Sequence, residues 1–154
     1  MTSSLRVHYY RRGLASSSEV RRQSTMADPI LSFVAQDVGA DTTEYTPECV
    51  VYLIAFGTGD PETGGHCWTF SRSFDDDWGV CTVREIQQAT VYGGIERFHL
   101  HRSGMECVFD PKAAEEAGYR ELRVAFAIDD KTWREVADTA QIVFRDCPCF
   151  SRVE

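Results

Sequence analysis

ELRVAFAIDDKTWREVADTAQIVF, residues 121–144, contains the two periodicities on which the fold turns. At first Leu122, Val124, Phe126 and Ile128 alternate with Glu121, Arg123, Ala125 and Ala127, the period of two expected of a strand with one buried face. The period changes at Asp129-Asp130. Trp133, Val136, Ala137, Ala140, Val143 and Phe144 then recur at helical spacing and make one apolar stripe. The acidic pair stands where a helix N-terminus favours negative charge, and Thr132 with Glu135 has capping-box spacing. A strand running straight into an amphipathic helix predicts a sheet with that helix laid across one face.

Upstream, the same period of two predicts strands over 30–37, 49–56, 66–74, 95–101 and 105–109, and a hairpin from 80–85 and 89–92. CVVYLIAF, 49–56, is almost continuously apolar and reads as a central strand buried on both faces. Residues 39–47 read as a polar connection and GTGDPETGG, 57–65, as an exposed loop. Trp68, Phe70 and Phe74 are expected on one face, with Cys67, Thr69, Ser71 and Ser73 on the other. Phe98, Leu100, Met105, Cys107 and Phe109 are also expected inside. Gly93-Gly94 has the character of a kink or bulge. Asp110, Pro111 and Gly118 supply the cap, first turn and stop of a two-turn helix. The predicted class is α+β: a mainly antiparallel sheet of six to eight strands with a short helix and a C-terminal helix packed on one face. Strands joined by such short turns are not the parallel pairs of a doubly wound fold.

The chain has 154 residues, enough for one domain with its own core. Its 16 Lys and Arg stand against 24 Asp and Glu, a net charge of −8. The charge is unevenly placed. Residues 1–25 carry five Arg and one acid, whereas 26–154 carry 11 basic and 23 acidic residues, or −12. Residues 1–25 have no apolar core of signal-peptide length and read as a disordered basic arm or a mis-assigned start. Residues 26–146 read as a single domain, and 147–154 as a tail. No apolar run is long enough for a membrane helix. A body at −12 repels nucleic acid and anionic membrane and attracts basic protein.

Enzyme chemistry finds no anchor. There is no phosphate-cradling glycine loop, no G-x-S-x-G and no H-E-x-x-H. Cys67 beside His66 on a strand points to the opposite face. His99 and His101 share a face with Arg97, a cation unfavourable beside a metal. Cys49, Cys67, Cys81 and Cys107 sit singly on predicted strands and read as small buried thiols. Only Cys147-Pro148-Cys149 suggests a redox or metal function, with His66 or Cys67 as further ligands. No catalytic residue, cofactor or metal site is expected from the rest.

YGGIERFHL (92–100), MECVFDPKAAEEAGY (105–119) and LRVAFAIDDKTWREVADTAQIVF (122–144) together resemble the Imm10 family of bacterial polymorphic-toxin immunity proteins. The shared order is a Tyr-Gly-Gly kink entering a strand, a hairpin return, a short Ala-rich helix, an alternating strand and a terminal helix. The resemblance covers about residues 75–145, with 30–74 fitting only as generic strands. It implies a cytoplasmic, non-enzymatic protein that binds and neutralises a cognate toxin, and Tyr92, Gly93 and Gly94 as the shared motif. The acidic body agrees with a basic toxin. Asp75, Asp76, Asp77 and Glu96 are the acids expected to steer that partner, with Trp78 and Tyr92 as anchors. Trp78 is equally compatible with a core position. Nucleic acid and membrane are not expected partners, and the protein is expected to be a monomer or a homodimer.

Overall fold

The computed structural model describes residues 29–73, 78–85 and 89–154. Among these residues ten strands form two five-stranded sheets, with two α-helices. The strands are β1 (Ile30–Val34), β2 (Asp37–Thr46), β3 (Cys49–Thr58), β4 (His66–Ser73), β5 (Cys81–Arg84), β6 (Ala89–Tyr92), β7 (Ile95–His101), β8 (Gly104–Phe109), β9 (Glu121–Ala125) and β10 (Phe150–Val153). The helices are α1 (Pro111–Ala117) and α2 (Asp130–Val143). The α+β expectation holds. The count of six to eight strands was short because β2 and β10 lack the alternation that betrays a strand.

One sheet is the antiparallel meander β2-β3-β4-β5-β6; the other runs β1-β9-β8-β7-β10. Wherever strands consecutive in sequence pair, they do so antiparallel, as expected, joined by turns or short loops or, between β8 and β9, by α1. The two parallel pairs, β1 with β9 and β10 with β7, arise where strands from the ends of the described body return to the second sheet. The sheets face each other across aromatic residues. Phe70 of β4 meets Phe98 of β7 edge-on at 5.0 Å, and Trp68 of β4 lies 6.2 Å from Phe109 of β8. Ile54, Phe56, Trp68, Phe70, Phe98, Leu100, Cys107, Phe109 and Leu122 are all fully buried.

The α2 stripe is buried as its spacing predicted. The helix packs on β2, β3 and β4 from the inner side, and its last turn brings Phe144 to 4.3 Å from Phe98. Its cap is Asp129, whose side chain accepts from the N–H of Thr132, so the Thr132–Glu135 capping box is corrected. A stronger acceptor one turn earlier had already claimed the free donor. Above Trp133 lie the guanidinium groups of Arg102 and Arg152, 5.8 and 5.9 Å from its ring, which tie the helix to the second sheet.

Three further expectations are corrected. Residues 39–47 are mostly strand, because β2 is a water-facing edge strand whose Thr, Glu and Asp residues still pair along β3. The strand 49–56 is buried on one face only, for Val51, Leu53 and Ala55 point away from the core that holds Ile54 and Phe56. The segment read as a tail re-enters the sheet. Asp146 turns the chain at φ 59°, the N–H of Phe98 donates to the carbonyl of Cys149 at 2.9 Å, and β10 then pairs along β7.

Candidate functional site

The β5–β6 hairpin builds the most conspicuous surface feature. Val80 is buried at its foot, and its carbonyl accepts from the N–H of Gly93 at 2.8 Å, closing the ends of the hairpin. Just outside this closure, Trp78 is 72% exposed and Tyr92 62% exposed, with ring centroids 6.4 Å apart. Trp78 is therefore not a core residue. Two large aromatics held together in water are the side-chain type that anchors protein interfaces. Asp75, Asp76 and Asp77 precede Trp78 directly in sequence and lie outside the described residues.

Gly93 and Gly94 take φ of 67° and 74°, which L side chains rarely adopt. Around this kink the chain leaves the meander and enters β7 of the other sheet. The carbonyl of Gly94 accepts from the N–H of Asp110 at 2.8 Å, and Asp110 caps α1 through the N–H of Ala113 at 2.7 Å. The glycine pair thus seats the short helix. Glu96 belongs to a different environment. Its carboxylate pairs with Arg120 at 3.1 Å in a shallow groove that also includes Arg97 and Glu121.

The cysteines are all free. Burial pushes the Cys107 thiol well up and Cys67 to about 11, with the charges of Glu85 and Asp37 adding to the effect on Cys67. Burial likewise raises Cys81, partly offset by hydrogen bonds with Tyr92 and Ser71. Cys149 is pushed up to about 11 by burial and then by Cys147 beside it. Such thiols are protonated near neutrality and are weak nucleophiles. Of the four cysteines read as buried, only Cys107 is fully so; Cys49, Cys67 and Cys81 are half-buried. Among the described residues no group of three or more His, Cys, Asp or Glu is placed to hold a metal ion. His66 stacks on Phe33 at 5.2 Å, His99 meets Ser151 at 2.6 Å, and His101 meets Ser103 at 3.2 Å.

The feature missed in the sequence is the outer side of the β2–β6 sheet. Its signal was present in Val51, Leu53 and Ala55, but a continuous apolar strand conceals which of its faces is covered.

The family model described as Immunity protein 10 (Imm10) matches residues 34–134. The chain belongs to the Imm10 family. The matched Imm10 region begins at the last residue of β1 and includes the whole β2–β6 meander, so residues 34–74, which resembled the family only as generic strands, are part of it. It also takes in the Tyr92-Gly93-Gly94 kink, α1 and β9, and stops within α2. Among curated proteins and solved structures, none matches the chain. No helix among the described residues is long and apolar enough to cross a membrane.

Proposed function

We propose that this Imm10 protein neutralises a cognate bacterial toxin domain by stoichiometric binding in the cytoplasm of the producing cell. Family membership carries the reading, because an immunity protein acts on a toxin partner. Two properties of the chain support it. Residues 26–154 carry −12, which draws a basic partner by long-range attraction. Trp78 and Tyr92 offer exposed aromatic area for a desolvated contact. Asp75, Asp76 and Asp77, next to Trp78 in sequence, and Glu96 supply the charge that speeds encounter, and the aromatics supply residence time. Tyr92 also belongs to the family motif, but Gly93 and Gly94 serve it structurally, by turning the chain under α1. The partner is a protein rather than nucleic acid or membrane, and the immunity protein meets it as a monomer or homodimer without enzymatic turnover.

The Cys147-Pro148-Cys149 alternative loses ground to this reading, since Cys149 is held protonated by burial. Co-expression of the full chain with the product of the adjacent gene tests the proposal. Growth rescue together with a co-eluting one-to-one complex is expected. Rescue without any complex would replace binding with removal of the toxic product, and absence of both would overturn the reading.

A further inference from the structure

The β2–β6 sheet has an inner side filled by Ile54, Phe56, Trp68 and Phe70 and an outer side of different chemistry. Strand alternation sends every second residue outward. The registers then place Asp41, Leu53, Ser71, Cys81 and Tyr92 in one row across all five strands. A parallel row carries Ala55, Thr69 and Val83 through its middle. The sheet's centre therefore carries small side chains, with Ser71 and Thr69 of β4 between the apolar Leu53 and Ala55 of β3 and Val83 of β5, and the exposed Trp78–Tyr92 pair stands at one margin. Among the described residues no element lies over this side. The helix α2 and the second sheet both meet the inner side, where Phe144 joins Phe70 and Phe98.

Among the described residues, the charges on that side have one sign. Asp37 and Asp41 stand at the outer positions of β2, and Glu85 continues the outward alternation of β5. Arg72 and Arg84, the cations of β4 and β5, alternate inward; Arg84 lies 5.0 Å from the Tyr119 ring. The outer side of the other sheet is mixed, with Arg97, Arg123, Glu106 and Glu121 interleaved and Arg123 paired to Glu121 at 2.8 Å. Among the described residues, this broad face alone thus combines small, partly apolar side chains with purely acidic flanks.

We infer that the outer face of the β2–β6 sheet, with Trp78 and Tyr92 at its margin, is the surface on which the basic toxin domain docks. The inference rests on the toxin-binding reading above and deepens it by naming the surface. With strands about 4.8 Å apart and about 3.3 Å per residue, the face covers on the order of 500 Å². With the aromatic pair it approaches the roughly 800 Å² per partner of a standard interface. A second copy of the chain is a poor occupant, since two such faces would oppose acid to acid. Nucleic acid is repelled by the same charges. A folded domain with a basic rim fits the acidic flanks, and its contact patch meets small side chains and the Trp78–Tyr92 pair.

The test measures binding of the full chain to the polypeptide encoded by the adjacent gene, using Asp41→Lys and Val83→Lys on this face and Val34→Lys on the opposite sheet, where Val34 is exposed. Thermal unfolding verifies that each variant is folded; Asp41 is exposed and outside the core, so its variant remains informative if Val83→Lys does not fold. Asp41→Lys and Val83→Lys are expected to weaken binding at least tenfold, with Val34→Lys within twofold of the parent chain. A complex that tolerates both β2–β6 variants, or loses affinity only with Val34→Lys, overturns the docking surface and leaves toxin binding standing. A parent chain that neither binds nor protects overturns both.

Discussion

A Cβ on Gly94 would stand 2.5 Å from the Cβ of Ala113, and Gly94 itself sits at φ 74°. The Tyr-Gly-Gly kink and the first turn of α1 are therefore fitted to each other: the backbone needs a residue free to turn left-handed, and the helix needs that residue to have no side chain. Gly93, at φ 67°, has open space where its Cβ would be. Gly94→Ala is expected to destabilise the protein by about 2–3 kcal/mol, and Gly93→Ala by only about 1 kcal/mol, the cost of the left-handed backbone alone. Urea unfolding of the two variants measures the difference. Equal losses would mean that the contact with Ala113 is relieved at no cost.

Acid should weaken the start of α2. Asp129 is held below its ordinary value of 3.8, first by the Thr132 side-chain hydrogen bond and then by the Thr132 backbone N–H. A carboxylate lowered in the folded state contributes stability that is present above its unfolded pKa and is lost as pH falls through the folded one. The gap in urea midpoint between the parent chain and Asp129→Ala is expected to be constant near neutrality and to close from about pH 4 downward. A gap unchanged into acid would assign the residue's effect to something other than its charged cap.

The parts of the fold legible in the sequence are those specified locally. Asp110, Pro111 and Gly118 mark both ends of α1 because capping is decided within a few residues. The α2 stripe and the β9 alternation report their own buried faces. β2 was not legible because an edge strand in water needs no apolar rhythm, and β10 because four residues, FSRV, owe their place to distant partners. The candidate site was half legible. The sequence pointed to Trp78 and Tyr92 together, but the exposure of Trp78 depends on tertiary packing, and the pairing of Glu96 with Arg120 on residues 24 positions apart being brought together within the second sheet. The acidic outer face required the register of β2 against β3, which no local pattern contains.

Thiol chemistry provides a check on the cysteine environments. A pKa near 11 leaves about one thiolate in ten thousand at neutral pH, about a hundredfold below a thiol at 9. Cys67 and Cys149 are therefore expected to alkylate slowly, and Cys107, fully buried, only on unfolding. Mass spectrometry after timed iodoacetamide treatment, with and without guanidinium, resolves each site. Rapid native labelling of Cys149 would restore the redox reading of the Cys-Pro-Cys segment.

The last strand is expected to matter for stability far beyond its four residues. Phe150 stacks on Phe144 at 5.1 Å with the rings 3° from parallel, and Phe144 in turn touches both Phe98 and Phe70. Two residues on, Arg152 lies over Trp133 and pairs with Asp138 at 3.4 Å. β10 thus clips the second sheet to the helix at two points. Phe150→Ala is expected to cost about 1–2 kcal/mol for the lost apolar and ring contact. Arg152→Ala should cost less, since its carboxylate partners Asp138 and Glu154 are exposed to water. Removal of residues 147–154 should exceed the sum of the two, because it also strips β7 of its hydrogen-bonding neighbour and opens the Phe98–Phe144 contact to water. Urea midpoints for the three variants decide it: a truncated chain as stable as Phe150→Ala would mean that the ring contact, not the strand pairing, carries the stabilisation.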